Sequence, residues 1–308
     1  MKKEKRMFLF KDIDSHYIIQ LFGICLKIKH KSNFKYKKAI TKGISDENRS
    51  PQIIVSLTTF PARIQTVHIT INTLLRQSLK PNKIILWLAE NEFPNGLKDL
   101  PEELLKLRDL GLTIEWCENL KSYKKIVPAL EKYPNDIIVT ADDDLYYSED
   151  WLESLYSSYL KNPEYIHAQR TGRIFIEENK IKLIVARHYS YKNFNNPEYS
   201  NIMLSGSGCL FPPNSLHSDI LNKENFLTIL PTQDDYYLWA MSVLNKTKIK
   251  TVKGFDADIL CVENTQSCGL CKINNPQSYG ITGQQALDKI IEKYPQIKEI
   301  VKNEMGLQ

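Results

Sequence analysis

The chain has 308 residues, 42% hydrophobic and 25% charged, with a formal net charge of +5. That length buries a substantial core in one large domain or two small ones, and the composition excludes a fibrous, low-complexity or disordered chain. The charge is uneven: residues 1–50 carry thirteen Lys and Arg against five Asp and Glu, which leaves the remainder slightly acidic.

The basic leader comes first. Tyr17 to Ile28 is apolar, yet too short to span a bilayer and broken by Gln20, Gly23 and Lys27. It starts too late, and without a small-residue cleavage site, for a signal peptide. Lys27 to Lys42 then adds seven lysines and no acid. An apolar strip beside a polybasic run binds an anionic membrane surface, so residues 17–42 are expected there. The alternative is a hairpin or helix packed on the main domain. Nucleic acid is not expected, because the lysines are confined to the leader and no reading motif accompanies them.

Ile44 to Pro51 reads as a linker, so residues 1–50 form an extension and residues 51–265 the main domain. A strand, Gln52 to Thr58, opens that domain and ends in Thr58-Thr59-Phe60-Pro61-Ala62-Arg63. Ile64, Val67, Ile71, Leu74 and Leu75 follow at helical spacing. Lys83 to Leu88 is a second buried strand. Pro101-Glu102-Glu103 opens a helix that Gly111 ends, with Pro in the first turn and acids near the positive end of the dipole. Leu112 to Trp116 is a third strand, Ser122 to Tyr133 a helix, and Ile137 to Val139 a short β-branched strand. This alternation predicts a doubly wound sheet. Beyond it, Asp150 to Leu160 reads as a helix, and Tyr165 to Leu210 is aromatic and strand-like. Asp234 to Leu244 reads as a helix. Residues 266–308 form a helical tail expected to pack on the domain, amphipathic from Ala286 to Met305, with an interruption at Pro295.

Two acidic clusters carry the chemistry. The Ile137 strand runs into Asp142-Asp143-Asp144, three like charges that gain nothing obvious for folding. Hard carboxylate oxygens suit Mg2+ or Mn2+, and the carboxyl ends of strands are where open α/β sheets bind ligands. A solvated acidic turn is the bland alternative. Asp234 and Asp235 open a helix, where the dipole stabilises them; taken alone they read as ordinary N-terminal acids. Between the clusters, Gly206-Ser207-Gly208 lets backbone approach a ligand closely. Lys124 and Lys125 read either as point charges for phosphates or as a solvated face. Among six cysteines, Cys268-Gly-Leu-Cys271 has zinc-knuckle spacing and Cys261 could add a ligand, but a fourth is missing, so reduced thiols are expected.

In this order the pieces resemble a GT-A glycosyltransferase, of the family-2-like group that assembles bacterial surface polysaccharide and lipopolysaccharide. The resemblance covers residues 52–265 and implies an α/β, Rossmann-like, doubly wound mixed sheet with helices on both faces. By it, Thr58, Thr59, Phe60 and Arg63 hold the base of a nucleotide-sugar donor, expected to be UDP-linked. The DxD-type carboxylates hold ribose and metal: Asp144 and Asp142 as ligands of Mn2+ or Mg2+, with Asp142 or Asp143 nearer the ribose. Lys124 meets the phosphates. Many members carry an acidic pair after the second strand, where this chain has Ala89-Glu90, which places Glu90 against uracil or ribose. Asp235 is implied as the base that deprotonates the acceptor hydroxyl, with Asp234 or Trp239 and the Gly206-Ser207-Gly208 loop on the acceptor. His188 and His217 are candidates for the later metal ligand seen in some relatives. One base beside the acceptor implies direct displacement and inversion. The implied acceptor is a lipid-linked or lipopolysaccharide glycan, and the location cytoplasmic, peripheral at the inner face of the membrane. Two rivals stand beside this reading: a sugar-phosphate nucleotidyltransferase, which would want a glycine-rich loop after the first strand, and a non-catalytic glycan- or membrane-binding protein.

Overall fold

The computed structural model describes residues 8–13, 16–21, 24–29, 41–178, 180–184, 196–252, 260–263, 265 and 282–307. Arg187, His188, Cys268 and Cys271 lie outside the described residues. The chain divides into two compact units, Met1–Thr41 and Lys42–Gln308. The first holds an antiparallel meander of β1 (Phe8–Ile13), β2 (His16–Leu21) and β3 (Ile24–Lys29). The apolar strip of the leader is therefore divided between two paired strands, with Tyr17 opposite Ile28.

The second unit is built on a sheet. Its first strand is β4 (Ile53–Thr58), followed by helix α1 (Val67–Leu74) and β5 (Lys83–Ala89). A short helix, α2 (Glu102–Leu105), tightens into a 3-10 turn that ends at Gly111, whose φ of 113° only glycine adopts readily. Next come β6 (Leu112–Cys117), a 3-10 turn at Lys121–Lys125, α3 (Val127–Lys132) and β7 (Ile137–Thr140). After α4 (Trp151–Lys161) follow β8 (Ile166–Ala168), β9 (Thr171–Glu177), β10 (Lys180–Ile184), β11 (Asn201–Met203) and β12 (Cys209–Phe211). Helices α5 (Lys223–Ile229) and α6 (Asp234–Leu244) lead to β13 (Ile249–Thr251), and α7 (Gly283–Lys293) and α8 (Gln296–Glu304) follow.

Among the described residues, seven strands form the main sheet in the order β13-β8-β12-β7-β4-β5-β6. β7, β4, β5 and β6 run parallel, while β12 is antiparallel to both β7 and β8, so the sheet is mixed. Ile53, Ile54, Val55 and Leu57 are all fully buried, as a parallel strand covered on both faces requires. From β4 the chain winds outward to β5 and β6, then returns to place β7 on the other side of β4. That reversal is a topological switch point, where a crevice opens at the carboxyl ends of the strands. Thr58 and Asp142–Asp144 follow those two strands.

One expectation changes. Ile44 to Pro51 is not a free linker: the Gly43 amide donates to the Leu110 carbonyl at 2.7 Å and Ser45 to that of Pro81 at 2.7 Å, which docks this stretch on the second unit. The tail packs into that unit's core. Ala286, Leu287, Ile290, Ile297 and Val301 pack with Tyr237, Leu238 and Trp239 of α6, and the break between α7 and α8 falls at Tyr294 and Pro295.

Candidate active site

The triplet after β7 separates into two differently neutralised parts. Asp143 is 5% exposed and both its oxygens are taken, one by the Thr59 hydroxyl at 2.5 Å and one by the Arg63 guanidinium at 2.6 Å. The second Arg63 nitrogen lies 3.0 Å from Asp144. Arg63 therefore spans two adjacent carboxylates, the fork geometry for which a guanidinium is suited. Asp142 turns the other way. Its side chain is 40% exposed and accepts from the Lys125 ammonium at 2.8 Å.

Lys125 is buried, and 3.0 Å away on its other side stands Asp234, the first residue of α6. The neighbouring Asp235 is cradled by Ser205, whose amide donates to it at 2.8 Å and whose hydroxyl donates at 2.5 Å. Ser205 opens the glycine loop, and the glycines have steric reasons. A Cβ on Gly206 would lie 1.8 Å from an Asp142 oxygen; one on Gly208 would lie 2.3 Å from Trp151 Nε1, at a φ of +117°. Tyr147 ties the pieces together. Its hydroxyl accepts from the Asp142 amide at 2.8 Å and donates to the Gly206 carbonyl at 2.5 Å.

The electrostatics follow from burial. Desolvation and then the charge of Asp234 raise the Asp235 carboxyl to about 7, against the pull of Lys125 and Ser205. Asp234 moves the other way: burial disfavours its charge, but the Lys125 ammonium outweighs that and holds it below the ordinary range. Two adjacent carboxylates are thus driven apart, one fixed as an anion and one poised to exchange a proton near neutrality. For Lys125, burial works against the charge, and the carboxylates of Asp142, Asp234 and Asp235 raise its pKa well above the ordinary value.

Several of the expected site residues are engaged within the protein. Thr59, Arg63 and Asp143 close on one another and form the base on which the triplet rests. Lys124 is 2% exposed and pairs with Glu92 at 2.6 Å, so it is neither a solvated face nor free for phosphate. Trp239 is fully buried and its indole donates to the Tyr199 carbonyl at 2.8 Å, which leaves it no surface for an acceptor. Gly206, Ser207 and Gly208 are buried and seat Asp142 and Trp151. His217, one of the two candidates for a later metal ligand, caps the turn at Ser218–Leu221, with Nδ1 accepting from the Asp219 amide at 3.3 Å. Phe60 and Thr58 are half-buried at the end of β4, where Thr58 donates to the Trp87 carbonyl at 2.8 Å; Glu90 is exposed at the end of β5. Ser205 and Tyr147 were not legible as site residues, since a serine before a glycine and one more tyrosine near the triplet carry no distinctive pattern.

Among the described residues, no three His, Cys, Asp or Glu side chains lie together as a metal-holding group. The carboxylates nevertheless outnumber their cations. Asp142, Asp143, Asp144, Asp234 and Asp235 face Arg63 and Lys125, a negative excess that suits a divalent cation held by one or two carboxylates together with substrate phosphates.

A mixed sheet with an acidic site at its switch point is the GT-A type of glycosyltransferase fold. The sequence pattern of glycosyl transferase family 2 matches residues 55–218, just over half the chain, and the protein belongs to that family. Among solved structures it is similar to S. aureus TarS 1–349, at 14% identity and a TM-score of 0.44 over 68% of this chain and 59% of that one. The same protein in complex with UDP-GlcNAc gives 13% identity and a TM-score of 0.45 over 68% and 57%. The CMP:2-keto-3-deoxy-manno-octonic acid synthetase complexed with CTP gives 13% and 0.40 over 72% and 96%. The chain thus spans a little under three fifths of the TarS structure. No curated protein matches.

Gly206→Ala is expected to destabilise the protein by about 1–3 kcal/mol in denaturant titration, because the new methyl must displace the Asp142 carboxylate. Asp235→Asn should act with the opposite sign. A carboxyl raised from the ordinary range to about 7 loses stability as pH rises through that window, since the folded state keeps a proton the unfolded chain has given up. The variant should therefore gain stability over wild type as pH rises from the ordinary carboxylate range to pH 8, and show no gain at pH 3. Melting curves at the two pH values check it.

Proposed function

We propose that the protein moves a sugar from a nucleotide-sugar donor, UDP-linked, to a hydroxyl of a membrane-associated glycan in polysaccharide or lipopolysaccharide assembly, with inversion. One observation supports this reading above the others. Two acidic clusters far apart in the chain meet across a single ammonium, with Lys125 within 3.0 Å of both Asp142 and Asp234. A donor-side carboxylate and the residue next to the proposed base are thereby tied together, and direct displacement needs donor and base side by side.

The roles follow from exposure and charge. Asp142, the most exposed of the triplet, and Asp144 would hold Mn2+ or Mg2+ with the donor diphosphate. The ion supplies charge neutralisation for the departing nucleotide. Thr58, Phe60 and Glu90, at the strand ends, would lie beside the donor. Asp235 accepts the proton of the acceptor hydroxyl; a base with a pKa near the working pH is efficient in that role. Asp234, held charged by Lys125, keeps its neighbour basic.

Calorimetric titration with UDP should show Mn2+-dependent binding to wild type and weakened binding to Asp144→Asn. Asp235→Asn should retain that binding and lose transfer by roughly 10²–10⁴-fold. Nucleotide binding that is absent with every metal would remove the donor assignment, and full turnover by Asp235→Asn would remove the base.

The basic leader fits an anionic membrane-bound acceptor. No helix among the described residues is long and apolar enough to cross a membrane. Attachment at the cytoplasmic face would come from the lysines of residues 27–42 and the apolar residues of the meander. Replacing Lys27, Lys29, Lys31, Lys35, Lys37 and Lys38 by Gln should release the protein from phosphatidylserine vesicles, as should raised salt. Unchanged sedimentation would assign the leader another task.

A further inference from the structure

We propose that Lys125 is the positioning residue of this site: its buried ammonium clamps Asp142 on the donor side and Asp234 on the acceptor side, which leaves Asp235 as the carboxylate that exchanges a proton. The inference rests on the glycosyl-transfer reading above.

The geometry is specific. Lys125 comes from the turn that precedes α3, not from either acidic cluster. It is 5% exposed and stands 2.8 Å from Asp142 and 3.0 Å from Asp234. The Ser56 hydroxyl donates to its carbonyl at 2.6 Å, which anchors the Lys125 backbone beside β4. One cation with two carboxylate partners on different elements sets the separation of those elements. The same cation discriminates within the pair that opens α6. It contacts Asp234 directly, while Asp235 has the neutral donors of Ser205. An ammonium lowers the proton affinity of the carboxylate it touches more than that of its neighbour. Identity of the base is therefore set by which of two adjacent aspartates receives the lysine.

The groups around Asp235 come from each packed element. Asp234 and Tyr236 lie on its own helix, Lys125 and Tyr123 on the turn before α3, Cys209 on β12, and Ser205 on the glycine loop. Tyr123, Cys209 and Tyr236 are all pushed upward, by burial first, and stay neutral through the neutral range. Lys125 is the cation in this set.

The test is the pH profile of kcat/KM for transfer. Wild type should lose activity on the acid side with a limb near pH 7. Lys125→Met should move that limb upward by more than one pH unit, with activity recovering in alkali, and Lys125→Arg should leave it in place. A residue that only props up the fold would lower activity equally at every pH, so an unmoved limb in Lys125→Met overturns the proposal. Should Lys125→Met fail to fold with its carboxylates stranded, Lys125→Met/Asp234→Asn is compared with Asp234→Asn. The limb of the double variant should lie more than one unit higher, and equal limbs overturn the proposal. If wild type transfers no sugar, the functional reading fails by itself. Titration of the Asp235 carboxyl by its 13C shift, in wild type and Lys125→Met, then decides for or against Lys125 without turnover.

Discussion

Five aspartates crowd the carboxyl ends of β4 and β7 and the start of α6, and among the described residues two cations, Arg63 and Lys125, pair with them. Desolvating a carboxylate is costly unless a partner or a proton compensates it. Each aspartate meets that demand differently. Asp143 is saturated by Thr59 and Arg63, Asp144 leans on Arg63, Asp234 on Lys125, and Asp142 keeps an exposed side beside the same lysine. Asp235 meets it partly with a proton. The division of labour among chemically identical side chains is a consequence of where two cations are placed.

That arrangement depends on close backbone approach. Asp142 can lie against the glycine loop because Gly206 has no side chain, and Trp151 packs under Gly208 for the same reason. Tyr147 and Ser205 convert the approach into hydrogen bonds, Tyr147 between the triplet and the loop, Ser205 between the loop and α6. The donor side and the base are consequently held by one connected set of contacts. Movement at the loop would be felt at both.

The strands were readable because a buried parallel strand has few options. Ile84 to Leu88 is apolar throughout, and Ile53 to Leu57 is apolar but for the buried Ser56, both bounded by polar turns. Helix α6 was placed correctly at Asp234–Leu244, yet its buried residues include Tyr237, Leu238, Trp239, Ala240, Met241, Ser242 and Val243. A helix covered on nearly every side carries no pattern that says which face meets a ligand, and the Trp239 side chain that the resemblance puts at the acceptor is fully buried. The polar stretch from Ile44 to Pro51 looked like a linker because its partners, Leu110 and Pro81, are distant in sequence.

The sequence by itself determined the α/β class, the strands that flank the switch point, the two acidic clusters and the order in which they occur. These are local properties: hydrophobic period, turn residues, and like charges at element ends. Only the tertiary structure decided which carboxylate is neutralised by which cation. Arg63 meets Asp143 across 80 residues of chain, and Ser205 meets Asp235 across 30. Such contacts have no spacing to read, because they are set by how β4, β7, the glycine loop and α6 converge. The charge state of each aspartate, and with it the assignment of the base, belongs to that convergence.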